Sequence, residues 1–369
     1  MQLRQIELFA LRMRLRHPFE TSFGREEDRE FLLVRADAGD HVGWGEVTVS
    51  RDPFYCYETV ETAESVLRNY LIPWTLSAPL AHPDDLAARL HQVRGHQMAK
   101  AGLEGALWDL YAKEQGIPLY QALGGERREI EVGISIGIEP TVDLLLAQVE
   151  RFLGDGYRRI KIKIKPGKDY VPLRAVRDRF GDIPMMADAN SAYSLSDIGL
   201  LQQLDELGLM MIEQPLSYED IIDHATLAPQ LKTPICLDEC IHSPEDARKA
   251  IEIGAAGVLN IKIGRLGGLS ASRKTHDIAQ AAGIPVWCGG MLESGVGRLH
   301  NVAITTLGGF TLPGDTAASS RYWEEDIIDP EVEVTPHGTI VVPQGPGIGH
   351  AVREDMVRRL AHGHWTYRA

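Results

Sequence analysis

Cysteine is scarce. The 369 residues hold four, at 56, 236, 240 and 288. No two form a C-x-x-C pair, and none stands with histidine at zinc-finger spacing. A disulfide-stapled scaffold and a structural zinc module are therefore excluded, and reduced thiols in a cytoplasmic protein are expected. Long apolar runs are also missing: no stretch reaches the roughly 18 residues that span a bilayer. Arg4, Arg12, Arg14 and Arg16 are interleaved with apolar residues and Glu7, and no compact apolar segment follows them. That pattern predicts no secretory signal. Positive charge is in deficit, with 38 Lys and Arg against 52 Asp and Glu and a formal charge of −14. Nucleic acid and an anionic membrane both need clustered positive charge, so neither is expected as a partner. A carboxylate substrate would need a local cation to offset this field. Two motifs are absent as well. No G-x-G-x-x-G follows the first strand-like run, and the 13 histidines form neither H-E-x-x-H nor H-x-x-E-H.

Against these absences, the apolar fraction of 44% is ordinary for a globular chain. The length suits one large domain plus a smaller one. Leu3, Ile6 and Leu8 and then Phe31–Val34 read as strands around a Pro-containing aromatic loop, His17–Gly24. Residues 57–116 turn helical, most clearly over Ala101–Gln115, which Gly116-Ile117-Pro118 should stop. After residue 130 short apolar runs alternate with helical segments. The runs are 131–136, 159–164, 183–187, 209–212, 234–237, 257–261, 284–287 and 310–312. Between them lie helical stretches such as Leu195–Leu207 and Ser243–Ile253, the latter opening on a Ser cap followed by Pro. Eight strands alternating with helices predict parallel βαβ units closed into a barrel, rather than a doubly wound sheet. Ile340–Pro343 and the His-rich tail read as a strand and loops returning to the first domain.

In such a barrel the chemistry sits at the C-terminal strand ends, and the polar residues there are of few kinds. Arg159–Lys165 reads RIKIKIK. Its period of two puts Lys161, Lys163 and Lys165 on one face, toward the interior, with the isoleucines outward. Burial lowers a lysine toward the range useful to a base. The next three strands end in Asp188, Glu213 and Asp238, each 25 residues after the last. Three carboxylates converging on one point repel one another unless a hard cation occupies it, and oxygen-only ligation suits Mg²⁺ or Mn²⁺. The sixth run ends in Lys262, across the barrel from Lys163. A divalent cation on both carboxylate oxygens and a neutral lysine are what α-proton abstraction next to a carboxylate requires. Each residue also has a plainer reading. The lysines could lie on a solvated edge strand, and Asp188 and Asp238 each fit a helix N-cap. Glu239 fits a loop acid as well as a group supporting the ligands. Gly264–Gly268 lacks phosphate-loop spacing and reads as a turn. It is the conjunction at successive strand ends that favours the chemical reading.

With those residues in place, the whole chain resembles the enolase superfamily in its muconate-lactonizing subgroup. The resemblance rests on the helix 101–125, Lys161-Ile162-Lys163, Asp188-Ala189-Asn190, Glu213–Leu216 and Leu237–Glu239. Finer motifs, Asn260–Arg265, Trp287–Glu293 and Leu312–Thr316, resemble the o-succinylbenzoate synthase / N-succinylamino acid racemase family. The resemblance implies a (β/α)₇β barrel (126–320), an α+β capping domain (1–125) and a C-terminal segment (321–369) completing it. It implies Lys163 and Lys262 as acid/base lysines, and Asp188, Glu213 and Asp238 as ligands of Mg²⁺ or another divalent cation, the lysine-base arrangement of enolase-type sites. It implies Ser135, Lys161, Asn190, Gly290, Met291 and Leu292 as substrate contacts and Phe19, Phe23 and Tyr55 as capping-loop walls. Glu239 and Arg265 would support the ligands and Lys262. It further implies a homo-oligomer, often an octamer, acting on a small carboxylate in menaquinone biosynthesis or in amino-acid racemisation. Cys240 departs from the Ser expected after Leu237–Glu239. Dipeptide epimerases and muconate cycloisomerases share the same set, but the Asp-x-Asp expected of an epimerase at the eighth strand is missing. A non-catalytic barrel would have lost a lysine or a ligand, and none is lost.

Overall fold

The computed structural model describes all 369 residues. The N-terminal part builds a four-stranded antiparallel sheet in the order Ala361–Arg368, Gln5–Glu20, Arg25–Asp37, Val42–Val47. The first strand runs further than its sequence suggests, through His17-Pro18-Phe19. A register shift between Arg14 and Phe19 absorbs Pro18, which has no N–H for the ladder. Only Thr21–Gly24 remain as loop. The helix Gln97–Glu114 lies across this sheet and is buried along most of its length. Gly43 and Gly45 permit the contact, because a Cβ on either would stand 2.0 Å from a carbonyl oxygen of the helix, Ala106 or Gly102. Gly116, at φ +67°, ends the helix in the left-handed conformation that glycine adopts without strain.

Seven parallel strands follow: Ile134–Ile136, Ile160–Lys163, Met185–Asp188, Ile212–Glu213, Ile235–Leu237, Val258–Ile261 and Val286–Cys288. They pair in sequence order. The eighth expected strand does not form. Phe310 and Gly314 make single bridges, to Val286 and Val132, and these join the two ends of the sheet. Pro313 lacks an N–H, and the flanking Gly308, Gly309 and Gly314 favour turns, so an extended ladder is not available there. Ile160, Ile162 and Ile164 pack outward into the larger apolar core, which the barrel helices share. A separate core fills the capping sheet and its helices. Ser243 caps the helix Pro244–Glu252 as its sequence predicts, accepting from Asp246 N–H. The C-terminal segment divides its returns. Ala361–Arg368 joins the edge of the capping sheet, whereas Thr339–Val341 pairs with Glu129–Glu131 at the entrance to the barrel. No helix is long and apolar enough to cross a membrane.

Candidate active site

Parallel pairing brings the strand ends to one side. Lys163 lies beside Asp188, and Asp188 beside Glu213. Lys161 and Lys163 point inward and are buried. Lys163 Nζ donates to Asp188 Oδ2 at 2.6 Å and to Asn190 Oδ1 at 2.7 Å. Lys161 Nζ lies 3.1 Å from Glu213, 3.2 Å from Asp188 and 2.6 Å from Asp315. Four strands further round, Lys262 Nζ donates to Asp238 Oδ2 at 2.8 Å and to the Tyr55 hydroxyl at 3.1 Å. Tyr55 in turn donates to Asp238 Oδ1 at 3.3 Å. Lys165 is only half-buried and pairs with Glu20 instead, at 3.1 Å.

A cavity of about 340 Å³ opens between the capping loops and the strand ends. Ser135, Lys161, Lys163, Asn190, Lys262, Gly290, Met291 and Leu292 line it from the barrel, and Phe19, Phe23 and Tyr55 from the cap. Asp188, Glu213 and Asp238 lie behind the lysines. Neither strand-end Asp caps a helix through its side chain; Asp188 Oδ1 accepts from Asn190 N–H at 3.0 Å and so turns the chain back into the site. Glu239 lies within the cluster, accepting from Asn190 Nδ2 at 2.8 Å. Arg265 pairs with Asp238 and donates to the carbonyls of Ile241 and Asn260. Of the five non-glycine residues with positive φ, four stand at these strand ends: Asn190, Ser191, Gln214 and Leu292. Strained backbone of this kind persists where surrounding contacts hold it, and it clusters at functional sites.

The three acids do not meet at one point as their spacing suggests. No three His, Cys, Asp or Glu side chains are grouped as a metal site would group them. The ammonium of Lys161 lies between Asp188 and Glu213, and Asp238 faces Lys262 and Arg265. The donor chemistry nevertheless fits a hard divalent cation. The acids are oxygen-only, and Glu239 Oε2 and Asn260 Oδ1 are buried polar atoms with no partner.

Burial and charge pull the two lysines apart. For Lys163, burial is the largest influence and pushes the ammonium down. Lys161 and Lys262 push the same way, against Asp188 and Glu213, and the result lies below the ordinary lysine value. For Lys262, burial is again the largest influence, but Tyr55, Glu239, Glu213 and Asp188 outweigh it and hold the ammonium above that value. Burial and the neighbouring Asp188 raise the carboxyl of Glu239 to about 6.

Sequence reasoning missed several partners. Asp315 bridges Lys161 and Arg159, the latter at 2.7 Å. Trp287 lies beneath both cations, 4.8 Å from Lys161 Nζ and 4.9 Å from the Arg159 guanidinium. Asn260 donates to Glu213 Oε1 at 2.6 Å, and Gln214 Oε1 accepts from Asp238 N–H at 2.9 Å. Period-two spacing was the available signal for two of them: Arg159 shares a face with Lys161, and Asn260 with Lys262.

Comparison with known proteins gives the family. Residues 4–124 match the mandelate racemase / muconate lactonizing enzyme N-terminal domain, and residues 144–356 match the enolase C-terminal domain-like family. An o-succinylbenzoate synthase of Geobacillus kaustophilus is 58% identical, over 95% of this chain and 93% of its own. An N-succinylamino acid racemase of Thermus thermophilus is 50% identical, over 98% and 97%. The chain belongs to the o-succinylbenzoate synthase / N-succinylamino acid racemase family of the enolase superfamily. A crystal structure of an enolase-superfamily member from Listeria innocua superposes on it with a TM-score of 0.96, at 37% identity, covering 100% of this chain and 99% of the other. That structure therefore shares the fold of this chain over its whole length.

Proposed function

We propose that this protein abstracts the α-proton of a carboxylate substrate with a lysine base. The reactions are dehydration of 2-succinyl-6-hydroxy-2,4-cyclohexadiene-1-carboxylate to o-succinylbenzoate, racemisation of N-succinylamino acids, or both. The observation that carries the reading is the pair Lys163 and Lys262, buried on opposite sides of one cavity and each on a carboxylate. Asp188, Glu213 and Asp238 would hold a divalent cation, Mg²⁺ or Mn²⁺, which when bound supplies stabilisation of negative charge on the substrate carboxylate.

The chain's own groups do the rest. Lys163, lowered by burial, gives up its proton most readily and is the base. Asn190 and Asp188 fix its Nζ. In the dehydration the α C–H bond breaks to give its proton to Lys163, and the C–O bond to the leaving hydroxyl breaks as the ring gains its double bond. The proton passes from Lys163 to the departing hydroxide, so that water leaves. Lys262, raised and held by Asp238 and Tyr55, stays an ammonium facing the developing charge. In racemisation Lys163 takes the proton from one face and Lys262 returns one to the other; the reverse direction exchanges their roles. Phe19, Phe23 and Tyr55 close the cavity above, and Ser135 and Gly290–Leu292 bound the substrate at the sides. Dipeptide epimerisation is disfavoured because the Asp-x-Asp of an epimerase is missing at the eighth run, where Asp315 is already paired to two cations, Arg159 and Lys161. A homo-oligomer, by resemblance an octamer, and a cytoplasmic setting belong to the same proposal; light scattering checks the first.

The test is proton NMR of Mg²⁺-loaded protein with N-succinylamino acids in D₂O, with EDTA as control. Metal-dependent loss of the α-proton signal and of optical rotation is the expected result. If neither occurs, the cyclohexadiene substrate is assayed by the appearance of the aromatic product. Failure of both reactions in folded, metal-loaded protein would sink the proposal.

A further inference from the structure

The helix Gly295–Thr305 is buried at every residue, so its first N–H groups cannot turn to solvent. Its own N-cap, Ser294, makes no side-chain bond to it. The acceptors come from outside the barrel. Glu46, in the capping-sheet strand Val42–Val47, accepts from Ser294 N–H at 3.1 Å, from Ser294 Oγ at 2.5 Å and from Gly297 N–H at 3.0 Å. Asp326 Oδ1 accepts from Gly295 N–H at 2.8 Å. The fit is close, since a Cβ at Gly297 would stand 2.9 Å from both Glu46 Oε2 and Glu293 Cγ.

The segment just before this helix is the cavity wall Gly290–Leu292, and the helix holds it. Glu293 Oε1 accepts from Met291 N–H at 2.9 Å and from Asn301 Nδ2 at 3.0 Å. Arg298 donates to the Glu293 carbonyl at 2.8 Å. Leu292 is kept at φ +56°, a conformation such a residue rarely adopts unaided. A chain of contacts thus runs from the capping sheet through Glu46 to the helix start, and from the helix to the wall.

We propose that Glu46 is a positioning residue for substrate: by capping a barrel helix from the other domain, it sets the Gly290–Leu292 wall relative to the capping loops that close over it. The substrate part of this inference rests on the proposed α-proton chemistry. A second lent cap provides the control. Glu104, on the capping helix Gln97–Glu114, accepts from Leu269 N–H at 2.5 Å and Ser270 N–H at 3.3 Å, at a helix whose own N-cap is Gly268. It ties the same two domains together without touching the Gly290–Leu292 segment.

The test compares Glu46→Gln with Glu104→Gln in the full, Mg²⁺-loaded protein by steady-state kinetics and by amide hydrogen exchange. Glu46→Gln should raise KM for the N-succinylamino acid about tenfold and leave kcat within about threefold. Exchange over residues 289–297 should quicken. Glu104→Gln should leave KM within about twofold and quicken exchange only near 267–272. Ser294→Ala, which removes one of the Glu46 bonds, should move KM the same way by less, and decides the matter if Glu46→Gln does not fold. Equal KM shifts in the Glu46 and Glu104 variants, or an unchanged KM in Glu46→Gln or in its stand-in, would overturn the proposal. Where wild type turns over no substrate, the reading of function fails and exchange alone decides: unchanged exchange at 290–292 in the Glu46 variant or its stand-in overturns the coupling, and faster exchange supports it.

Discussion

Lys163 and Lys262 stand at strand ends on opposite sides of one cavity, yet they are held differently. Lys163 takes both its bonds, to Asp188 and Asn190, from the strand that neighbours its own. Lys262 is held by Asp238 of the barrel and by Tyr55 of the capping domain, with the Tyr55 ring 4.6 Å from its ammonium. Burial disfavours the charged form of both. Only on the Lys262 side do nearby anions and Tyr55 more than compensate. One side of the site is therefore a lysine that the barrel holds alone, and the other is a lysine that the cap helps to hold. Changes in the cap should reach the chemistry mainly through Lys262.

The sharpest way to break this comparison is to replace each lysine by arginine, which keeps the charge but cannot act as a base near neutral pH. Lys163→Arg should slow the dehydration by about 10³-fold or more, in the range expected for losing a general base. Lys262→Arg should slow it by only about tenfold, while both variants lose racemisation. Equal losses in single-turnover dehydration would remove the distinction.

Asp315→Asn acts next. It withdraws the carboxylate shared by Lys161 and Arg159, both buried. Leaving buried cations short of a partner should cost about 3 kcal/mol in urea unfolding; a loss below about 1 kcal/mol would show that Asp188 and Glu213 suffice for Lys161.

A pH effect should come from the interdomain caps. Burial pushes the Glu104 carboxyl up to about 7 from an ordinary 4.5. A carboxyl raised on folding contributes its stability in full below the ordinary value and loses it as pH climbs through about 7. Wild type should therefore lose roughly 2 kcal/mol through this group between about pH 5.5 and 8. Glu104→Gln should flatten that slope, and an unchanged slope in thermal melts would contradict the assignment.

The smallest effect belongs to Tyr55→Phe, which deletes one hydrogen bond to Lys262. We expect about tenfold slower proton transfer on the Lys262 face, as for one charged hydrogen bond, with the Lys163 face unaltered. Isotope exchange on each enantiomer separates the two.

The barrel and its inward lysines were legible because they are written in local periodicity. RIKIKIK alternates inward and outward, and the acids recur at strand ends. What could not be read was long-range pairing. Asp315 meets Arg159 across 156 residues, and Glu46 reaches Ser294 across 248. Capping rules look only three residues ahead, so a cap lent by another domain leaves no local trace. The eighth strand failed for the opposite reason. Phe310-Thr311-Leu312 has strand composition, but Pro313 and its flanking glycines deny it a ladder. The interleaving of lysines between the acids was hidden as well, because spacing gives the height of a side chain in a barrel and not which neighbour its charge will choose.

The account rests on two lysines serving opposite faces of one α-carbon. The direct measurement is α-deuterium incorporation from D₂O into each enantiomer of an N-succinylamino acid by metal-loaded Lys163→Ala and Lys262→Ala proteins. Each variant should exchange the α-proton of one enantiomer only, the opposite one in the two variants, and neither should racemise. Exchange of both enantiomers by a single variant, or racemisation surviving in either, would contradict it.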